Sequence, residues 1–454
     1  MRHTLSLAQL TCETSSEDIT PGALHASRRA VLDLLGCALA GRDAPGVEPV
    51  VNQQLDWGGA AQAAVWFRQR RVPAPAAVFA NSCMAHALDL DDVHLGAILH
   101  ITSLMVPAAV GVGQWQAASG RDVLDALTLG IEVAGRIGRE HWKRRVGQGF
   151  LPSSVVGGFG VAAAACRLLG CTVEQTENAM GIYYAHASGN RQALFDHTLT
   201  KRIQPAIAAR AGVVAADLAQ RGLSGPREVL DGEAGLMRIY GAALEDELPE
   251  PETLAAPRET FEIEQLSFKR FACCGGSHPV IQAAIDLANE FNLSVDSVER
   301  ITLSRALTSP FVGAPWDDDA PSPQALAQFS APYDVAAAIK YRRFGAREID
   351  EQTMAANPDV AELAHRVEID REGEHSRSQT ITIITRDGRT LTATRDRDHV
   401  LRPDLFDDEA LARKFRENAH CAGVDSNAQI ERFIEDILHL DRFETVEEFA
   451  SRWL

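Results

Sequence analysis

A change in sequence pattern, from helical before to mixed helix and strand after, occurs at the stretch Phe268-Lys269-Arg270-Phe271-Ala272-Cys273-Cys274-Gly275-Gly276-Ser277-His278-Pro279. The stretch places two cations before a glycine turn, and Ser277 and Pro279 have the residue types of a helix N-cap and of a first helical turn. Free backbone N–H groups and the positive end of that helix would bind a carboxylate beside Lys269 and Arg270. The stretch therefore predicts an anion-binding corner, with a solvated surface turn as the alternative.

Before this stretch the sequence follows a helical pattern almost throughout. Apolar residues recur at helical spacing and strand signals are sparse. Pro21 opens one helix and Gly41 closes it, and further helices are expected near residues 75–91, 103–118, 121–142, 153–169, 173–187 and 205–222. We predict an all-helical domain whose first part covers residues 1–264.

After the stretch, segments that alternate between apolar and polar residues are interleaved with helical ones. The expected helices lie near 278–291 and 324–342, and the alternating segments are 298–304, 366–369, 379–385 and 390–394, with Asp387-Gly388 as a hairpin turn. Residues 265–400 are therefore predicted to form a smaller α+β lid domain. Helices near 407–417, 427–438 and 445–453 would return residues 401–454 to the helical domain, so the fold class is mainly α with an inserted lid.

The chain has 454 residues and a formal net charge of −18. This length favours two domains, and hydrophobic and charged fractions of 46% and 23% are typical of a globular enzyme. The negative charge argues against nucleic acid or an anionic membrane as partner, because both attract basic surfaces. An anionic substrate would need a locally basic pocket.

Eight cysteines are scattered along the chain without a C-x-x-C pair, which is typical of reduced thiols in a cytoplasmic protein. Adjacent Cys273 and Cys274 are poorly placed as joint zinc ligands. The N-terminus lacks the apolar segment of a signal peptide, and no run of about 18 apolar residues predicts a membrane span. We expect a cytoplasmic protein.

Carboxylates and histidines are concentrated between residues 86 and 100, at His86, Asp89, Asp91, Asp92, His94 and His100. Carboxylates this close repel one another unless they are solvated, protonated or paired with cations. A carboxylate paired with His100 could exchange protons near neutral pH. The alternatives are a solvated helix end and, for His86, a structural role on an apolar helix.

A second basic corner is formed by Lys201 and Arg202, which come just before Pro205. Because Pro205 suits a first helical turn, this corner would also lie at a helix N-terminus. Two such corners suit a substrate with more than one carboxylate.

Tyr333 opens a predicted helix of the smaller domain and is either a site residue or a packing residue.

Nearly the whole chain resembles the MmgE/PrpD family, which includes 2-methylcitrate dehydratase, iminodisuccinate epimerase and cis-aconitate decarboxylase. The resemblance rests on an ordered set of segments, at residues 33–37, 87–92, 130–136, 152–157, 201–212, 268–279 and 330–336. It implies a homodimer, an active site in the cleft between a helical domain and an α+β lid, and no required metal or organic cofactor.

The resemblance also assigns residues. The family's polar active-site positions correspond to Asp89, His100, Lys201, Lys269 and Tyr333. We expect neighbouring residues of the two corners to bind the substrate, namely Arg202, Arg270, Ser277 and His278.

Three positions depart from patterns seen in the family. Decarboxylase-like members place a histidine just before a Pro-Ser-Val-Val segment, where this chain has Leu151. A histidine of some members is Gln204 here, and the His-Pro-Ser of many members is His100-Ile101-Thr102. Because an alkyl side chain offers neither a proton nor a hydrogen bond, Leu151 argues against decarboxylation of cis-aconitate.

The reactions of this family share a carbanion-like centre beside a carboxylate, which requires an acid or base and cations that stabilise the developing charge. The leading prediction is a cofactor-independent lyase that dehydrates a hydroxy-polycarboxylate of the 2-methylcitrate type. The alternatives are an epimerase of a dicarboxylate such as iminodisuccinate, a cis-aconitate decarboxylase-like enzyme, and a non-enzymatic helical dimer that binds protein partners.

Overall fold

The computed structural model describes residues 2–143, 149–240, 249–256, 259–304, 312–370 and 378–454. Within these ranges the protein is mainly α, as expected. The helices before the 268–279 stretch are α1 His3–Glu13, α2 Pro21–Gly41, α3 Val47–Trp57, α4 Ala74–His86, α5 Thr102–Gln116, α6 Gly120–Lys143, α7 Pro152–Leu169, α8 Val173–Tyr184, α9 Gln192–Phe195, α10 Thr200–Gln220, α11 Leu236–Ile239 and α12 Pro251–Leu254. The later helices are α13 His278–Glu290, α14 Pro323–Ala327, α15 Ala331–Tyr341, α16 Glu351–Ala355, α17 Pro358–Ala364, α18 Asp408–Cys421, α19 Asn427–Leu438 and α20 Val446–Trp453.

Helix α2 begins and ends where the sequence signals predict. Thr20 caps it by accepting a hydrogen bond from the backbone N–H of Ala23, and Pro21 occupies its first position. Helix α10 differs, because it begins at Thr200 and contains Pro205 in its interior. Lys201 therefore lies within the first turn of the helix, and the expectation that the second basic corner precedes the helix is wrong.

Helix α7 is the most membrane-like element among the described residues. By length and composition it could span a bilayer, but 89% of it is buried inside the protein. Its Gly160 packs directly on α6, because a Cβ placed there would collide with the carbonyl oxygen of Gly130 and lie 2.8 Å from Cβ of Ala134. Small residues thus allow two backbones to approach closely, and α7 is a core helix.

The strands are short and form three sheets among the described residues. They are β1 Ala63–Val65, β2 Arg70–Val72, β3 Val93–His94, β4 Leu266–Ser267, β5 Val298–Leu303, β6 Val367–Ile369, β7 Ser378–Thr385 and β8 Thr390–Asp396. The largest sheet has the order β6-β5-β7-β8, with β5 and β6 parallel and the other pairs antiparallel. The β7–β8 hairpin turns at Gly388, whose φ of 86° favours glycine. Strands β1, β2 and β3 lie in the part predicted to be all helical, and at two or three residues they are too short to produce a pattern.

The apolar side chains form two cores. One contains residues that precede Lys269 together with residues of α18, α19 and α20, so the C-terminal helices return to the first part of the chain. The other is built mainly from residues 271–391, joined by Cys37, Leu88 and Leu90. That the second part acts as a lid with the boundaries given above remains a prediction.

Candidate active site

Asp89 lies at the centre of a buried charge cluster, and only 1% of it is exposed. It follows α4 in a turn, and its backbone takes a left-handed conformation (φ 52°) that aspartate tolerates better than most residues. The flanking Leu88 and Leu90 pack in the second core. The turn thus separates the carboxylate from its apolar neighbours.

Two lysines bind this carboxylate. Lys201 of α10 donates a hydrogen bond to Oδ1, and Lys269 donates to Oδ2 and to the backbone carbonyl of Asp89, at 2.7 Å each. Burial would raise the pKa of Asp89, but the two ammonium groups outweigh it and hold the pKa well below its usual value. Asp89 is therefore ionised, and the three groups together carry one net positive charge.

A short strand pair brings Lys269 to the acid cluster. Val93 pairs with Ser267 and His94 with Leu266, so the backbone runs from this pairing directly to Lys269. The side chain of His94 in turn lies 2.8 Å from Oε2 of Glu262, just before β4. These contacts fix the start of the 268–279 stretch against the turn that carries Asp89.

His100 keeps access to solvent, with 19% of its side chain exposed. Its Nδ1 lies 2.8 Å from the carbonyl oxygen of Asp92, and its Nε2 lies 3.9 Å from Oδ1 of Asp89. Because a carbonyl oxygen only accepts hydrogen bonds, Nδ1 carries the hydrogen and Nε2 has the free lone pair. Burial and the nearby Lys269 lower the pKa of His100 to about 3. His100 is therefore a neutral imidazole beside the two lysines.

Helix α7 holds the backbone of His100 in place. The hydroxyl of Ser153, in the first turn of α7, accepts a hydrogen bond of 2.8 Å from the backbone N–H of His100. Leu151 occupies the N-cap position of the same helix and is 8% exposed. Leu151 is thus two residues before Ser153, whose hydroxyl binds the backbone of His100.

Asp91 and Asp92 are both buried, and their side-chain contacts stabilise the turn. Nδ1 of His86 lies 2.8 Å from Oδ2 of Asp91, while Oδ1 of Asp92 accepts hydrogen bonds from the backbone N–H and hydroxyl of Thr102. Burial opposes ionisation of Asp91, but His86 and His100 lower its pKa overall. Burial and the charge of Asp91 raise the pKa of Asp92 to about 7. Asp92 is thus a carboxyl group that titrates near neutrality.

Ser277 and His278 lie at the start of α13 and are fully buried. Ser277 occupies the N-cap position, but its hydroxyl makes no cap hydrogen bond, which contradicts the capping prediction. Neither ring nitrogen of His278 has a hydrogen-bond partner among the described residues. Burial and the charge of Lys269 lower the pKa of His278 well below its usual value, so this imidazole is neutral.

Arg202 and Arg270 make their described contacts outside the Asp89 cluster. Arg202 is buried and donates hydrogen bonds to the carbonyl oxygen of Pro45 and, at 3.3 Å, to Oε1 of Gln324. Arg270 is exposed and donates at 2.9 Å to Oε1 of Gln282. The structure therefore does not bring these guanidinium groups to the two lysines, and their role in substrate binding stays a prediction.

Tyr333 also lies outside the cluster. Its hydroxyl donates a hydrogen bond of 3.1 Å to the backbone carbonyl of Glu348, and its ring stacks on Trp316 with a centroid distance of 4.5 Å. Burial raises the pKa of the phenol. These contacts are those of the packing alternative, while a catalytic role for Tyr333 remains untested.

One group of side chains could ligate a metal ion among the described residues. Donor atoms of His86, Asp89 and His100 lie within 4.8 Å of one another. Both carboxylate oxygens of Asp89 are already bound by ammonium groups, and two adjacent cations oppose the binding of a dication. The geometry therefore favours lysine side chains as the cations of this site.

Two domain families match the chain. The MmgE/PrpD N-terminal domain matches residues 5–247, and the MmgE/PrpD C-terminal domain matches residues 271–440. The chain belongs to the MmgE/PrpD family. The resemblance noted from the sequence is thereby confirmed, and the Asp89 cluster joins residues of the N-terminal match to Lys269, which precedes the C-terminal match.

Several relatives align over most of their length. The cis-aconitate decarboxylase-like protein oryM of Aspergillus oryzae is 28% identical, with 99% of this chain and 96% of that protein covered. The cis-aconitate decarboxylase of Aspergillus terreus is 26% identical (94% and 91% covered), and that of Homo sapiens is 28% identical (88% and 84% covered). These relatives are enzymes, which places the chain in a dehydratase- and decarboxylase-type enzyme family.

The residues that brace the turn around Asp89 were not apparent from the sequence. The amide of Gln328 donates to the carbonyl oxygen of Ala87, and the ammonium of Lys414 donates to that of Leu90, both at 2.9 Å. Lys414 also forms an ion pair of 2.6 Å with the buried Asp33. The available sequence signal was Asp33, a carboxylate within the apolar run of α2. A carboxylate buried there requires a cation from elsewhere in the chain.

Proposed function

We propose that this protein is a cofactor-independent lyase that dehydrates a small hydroxy-polycarboxylate by removing a proton next to a carboxylate. The observation that carries the proposal is the cluster in which Lys201 and Lys269 share Asp89 beside the free nitrogen of His100. It combines two fixed cations with a neutral base in one place.

The lysines supply the positive charge that a polycarboxylate needs in a protein of net charge −18. Removal of a proton next to a carboxylate sends negative charge onto the carboxylate oxygens. Preorganised ammonium groups at those oxygens stabilise the developing charge, and loss of one such group typically costs a factor of about 10² to 10³ in rate. Asp89 holds both lysines in position for this task.

His100 is the proposed general base. With a pKa of about 3 it is a weak base in the free protein, but a bound polycarboxylate brings negative charge to the imidazole and raises that pKa. The proton moves to Nε2, the C–H electron pair forms the double bond, and the C–O bond breaks. The departing hydroxide takes a proton from an ammonium group of the cluster and leaves as water.

Leu151 supports dehydration over decarboxylation. Leu151 lies two residues before Ser153, which binds the backbone of His100. An alkyl side chain there can neither donate a proton nor accept a hydrogen bond, so it cannot replace the histidine that the family resemblance assigns to decarboxylase-like members. The second candidate is decarboxylation of cis-aconitate, which the names and near-complete alignment of the relatives favour. The same lysines would serve that reaction by binding carboxylates.

A panel of hydroxy-tricarboxylates, cis-aconitate and iminodisuccinate, incubated in deuterated water with a chelator present, tests the proposal. We expect loss of water from a hydroxy-tricarboxylate, deuterium exchange at the carbon next to a carboxylate, and no appreciable itaconate by mass spectrometry. Efficient itaconate formation would establish the decarboxylase candidate instead. Exchange without dehydration, or activity that requires an added divalent metal, would contradict the proposed reaction.

We further propose that the protein acts as a homodimer, as its family membership suggests. Sedimentation equilibrium should give about twice the 49.2 kDa chain mass. A monomer with full activity would contradict this proposal without affecting the proposed chemistry.

A further inference from the structure

A large cleft lies between the two cores, on the other side of the turn that carries Asp89. Its volume is about 1190 Å³, and its walls come from the end of α2, the 88–90 turn, the segment after Lys269, residues 342–353 and helix α18. Leu88 and Leu90 line the cleft, whereas Asp89 between them faces the lysines. The cleft is therefore separate from the candidate active site although both use one stretch of backbone.

The walls of this cleft carry an excess of positive charge. Arg343 pairs with Glu348 at 2.7 Å and Lys414 pairs with Asp33 at 2.6 Å, so these two cations are neutralised. Four other arginines of the cleft make no ion pair with a carboxylate among the described residues: Arg270, Arg342, Arg347 and Arg413.

The carboxylates of the cleft are mostly engaged elsewhere. Asp43 pairs with Arg42 at 2.8 Å, and Asp350 caps α16 by accepting from the backbone N–H of Thr353. Asp350 and Glu417 are the cleft carboxylates without an ion pair among the described residues. Four arginines against two carboxylates leave a local surplus of two positive charges in a protein whose net charge is −18.

Two of these arginines have free guanidinium groups. Arg347 and Arg413 are exposed, and neither side chain makes a hydrogen bond or ion pair within the described parts of the chain. Arg270 and Arg342 donate only to neutral acceptors, including the side chains of Gln282 and Asn292. Guanidinium groups bind phosphate oxygens in bidentate geometry, so this wall can bind several anionic oxygens at once.

The cleft also has an apolar wall. Leu88, Leu90, Phe344 and Phe406 line it, and its volume exceeds what a compact tricarboxylate requires, since ligand pockets of about 300–1,000 Å³ hold drug-sized molecules. A ligand that fits both walls has several negative charges at one end and a flat or apolar group at the other. We propose that the cleft binds a polyphosphate ligand with an aromatic part, of the nucleoside polyphosphate class.

Calorimetric titration of the full chain with ATP, tripolyphosphate and adenosine, with a chelator present, tests this assignment. The test variant is Arg347→Gln combined with Arg413→Gln, because neither side chain has a partner to lose among the described residues. The matched control is Arg432→Gln on α19, an exposed arginine whose described side-chain contact is a backbone carbonyl outside the cleft.

We expect ATP to bind more tightly than tripolyphosphate, adenosine to show no measurable binding, and salt to weaken both anions. The double variant should bind ATP at least about tenfold more weakly, which corresponds to about 1.4 kcal/mol, and the control should match the wild type. Absence of ATP binding, or equal affinity in the double variant, would overturn the proposal. Equal binding of ATP and tripolyphosphate would reject the aromatic part, and loss of ATP binding in Lys201→Ala alone would assign it to the active site.

Discussion

Asp89 is the residue through which the two lysines act together. Each ammonium binds a different oxygen of this one carboxylate, and all three side chains are buried. Removal of either lysine leaves Asp89 paired with the other lysine but deletes a buried hydrogen bond to a charged group, and such bonds contribute about 1.5–3 kcal/mol to stability. We therefore expect lysine variants to lose both activity and stability, because both properties depend on the same contacts.

Lys201→Ala and Lys269→Ala should each lower turnover at least roughly a hundredfold, because each removes charge stabilisation from the developing anion. Each should also lower the free energy of unfolding, so rates are to be measured where circular dichroism shows a folded protein. Lys340→Ala is the matched control, since its ion pair with Asp359 lies near the surface and such pairs contribute about 0–1 kcal/mol. Near-wild-type kinetics in both site variants would contradict the proposed site.

His100→Gln should retain substrate affinity within about tenfold while it lowers the rate by a factor of about 10² to 10⁴, because glutamine is not a base. The control is His365→Gln, which alters an exposed histidine bound to Asp318. Steady-state kinetics over pH would measure both. An unchanged rate and pH profile in His100→Gln would assign His100 a structural role.

Asp92 gives a prediction for stability against pH. Its pKa is about 7 in the folded protein and 3.8 as the ordinary value, so its contribution is complete below pH 4 and is lost as the pH rises through 7. Relative to Asp92→Asn, the wild type should therefore lose about 1.4 kcal/mol of unfolding free energy per pH unit between about pH 4 and 7.

Urea unfolding at several pH values would measure the difference between wild type and Asp92→Asn. Asp387→Asn is the control, because hydrogen bonds from Thr385 and Arg389 lower the pKa of Asp387 to about 2, outside this range. Parallel stability curves for wild type and Asp92→Asn would show that Asp92 is ionised throughout. His100 has the opposite effect on stability. Because its pKa is lowered in the folded protein, its contribution to the free energy of unfolding is lost as the pH falls below 6.5.

At the scale of elements, the close contact of α6 and α7 supports the site. Helix α7 starts at Pro152, directly after Leu151, and its first turn holds His100 through Ser153. The position of that turn depends on how closely the two helices pack at Gly130 and Gly160. The packing of α6 against α7 therefore helps to fix the position of the His100 imidazole.

Gly160→Ala should lower the free energy of unfolding by about 1–3 kcal/mol, the usual cost of an overpacked core, because its Cβ would collide with the Gly130 carbonyl and Met105. Gly149→Ala is the control, since no heavy atom of the described residues lies within 4 Å of a Cβ built there. Chemical denaturation of both variants measures the effect. A Gly160→Ala protein as stable as the control would show that the helices separate without cost.

At the scale of the whole molecule, substrate binding should stabilise both cores together. Lys201 belongs to α10 of the first part, while Lys269 stands where the chain passes into the second. A ligand that binds only the folded state stabilises it by about 2.7 kcal/mol at a hundred times its dissociation constant. A citrate-like tricarboxylate should therefore raise the Tm, and the increase should grow with the logarithm of the ligand concentration divided by its Kd.

Differential scanning fluorimetry with such a tricarboxylate distinguishes the two proposed anion sites. The Tm increase should disappear in Lys201→Ala and persist in the Arg347→Gln and Arg413→Gln double variant. The reverse pattern would place tricarboxylate binding in the arginine-lined cleft and remove the support for the Asp89 cluster as the substrate site.

Local signals in the sequence were sufficient for much of the helical architecture. The bounds of α2 follow from Pro21 and Gly41, and the β7–β8 hairpin follows from two alternating segments around Asp387-Gly388. Both depend on residues close together in the chain, where propensity and turn chemistry act. The family resemblance likewise selected Asp89, His100, Lys201 and Lys269 before any contact was visible.

The contacts that join those residues were decided by tertiary structure alone. Asp89 is separated by 112 residues from Lys201 and by 180 residues from Lys269, and no local pattern specifies that both bind one carboxylate. Folding likewise directed Arg202 and Arg270 away from that carboxylate and buried Asp92 beside Asp91. Charge, pKa and access at each position depend on which distant groups replace water around it, and only the packed chain determines those groups.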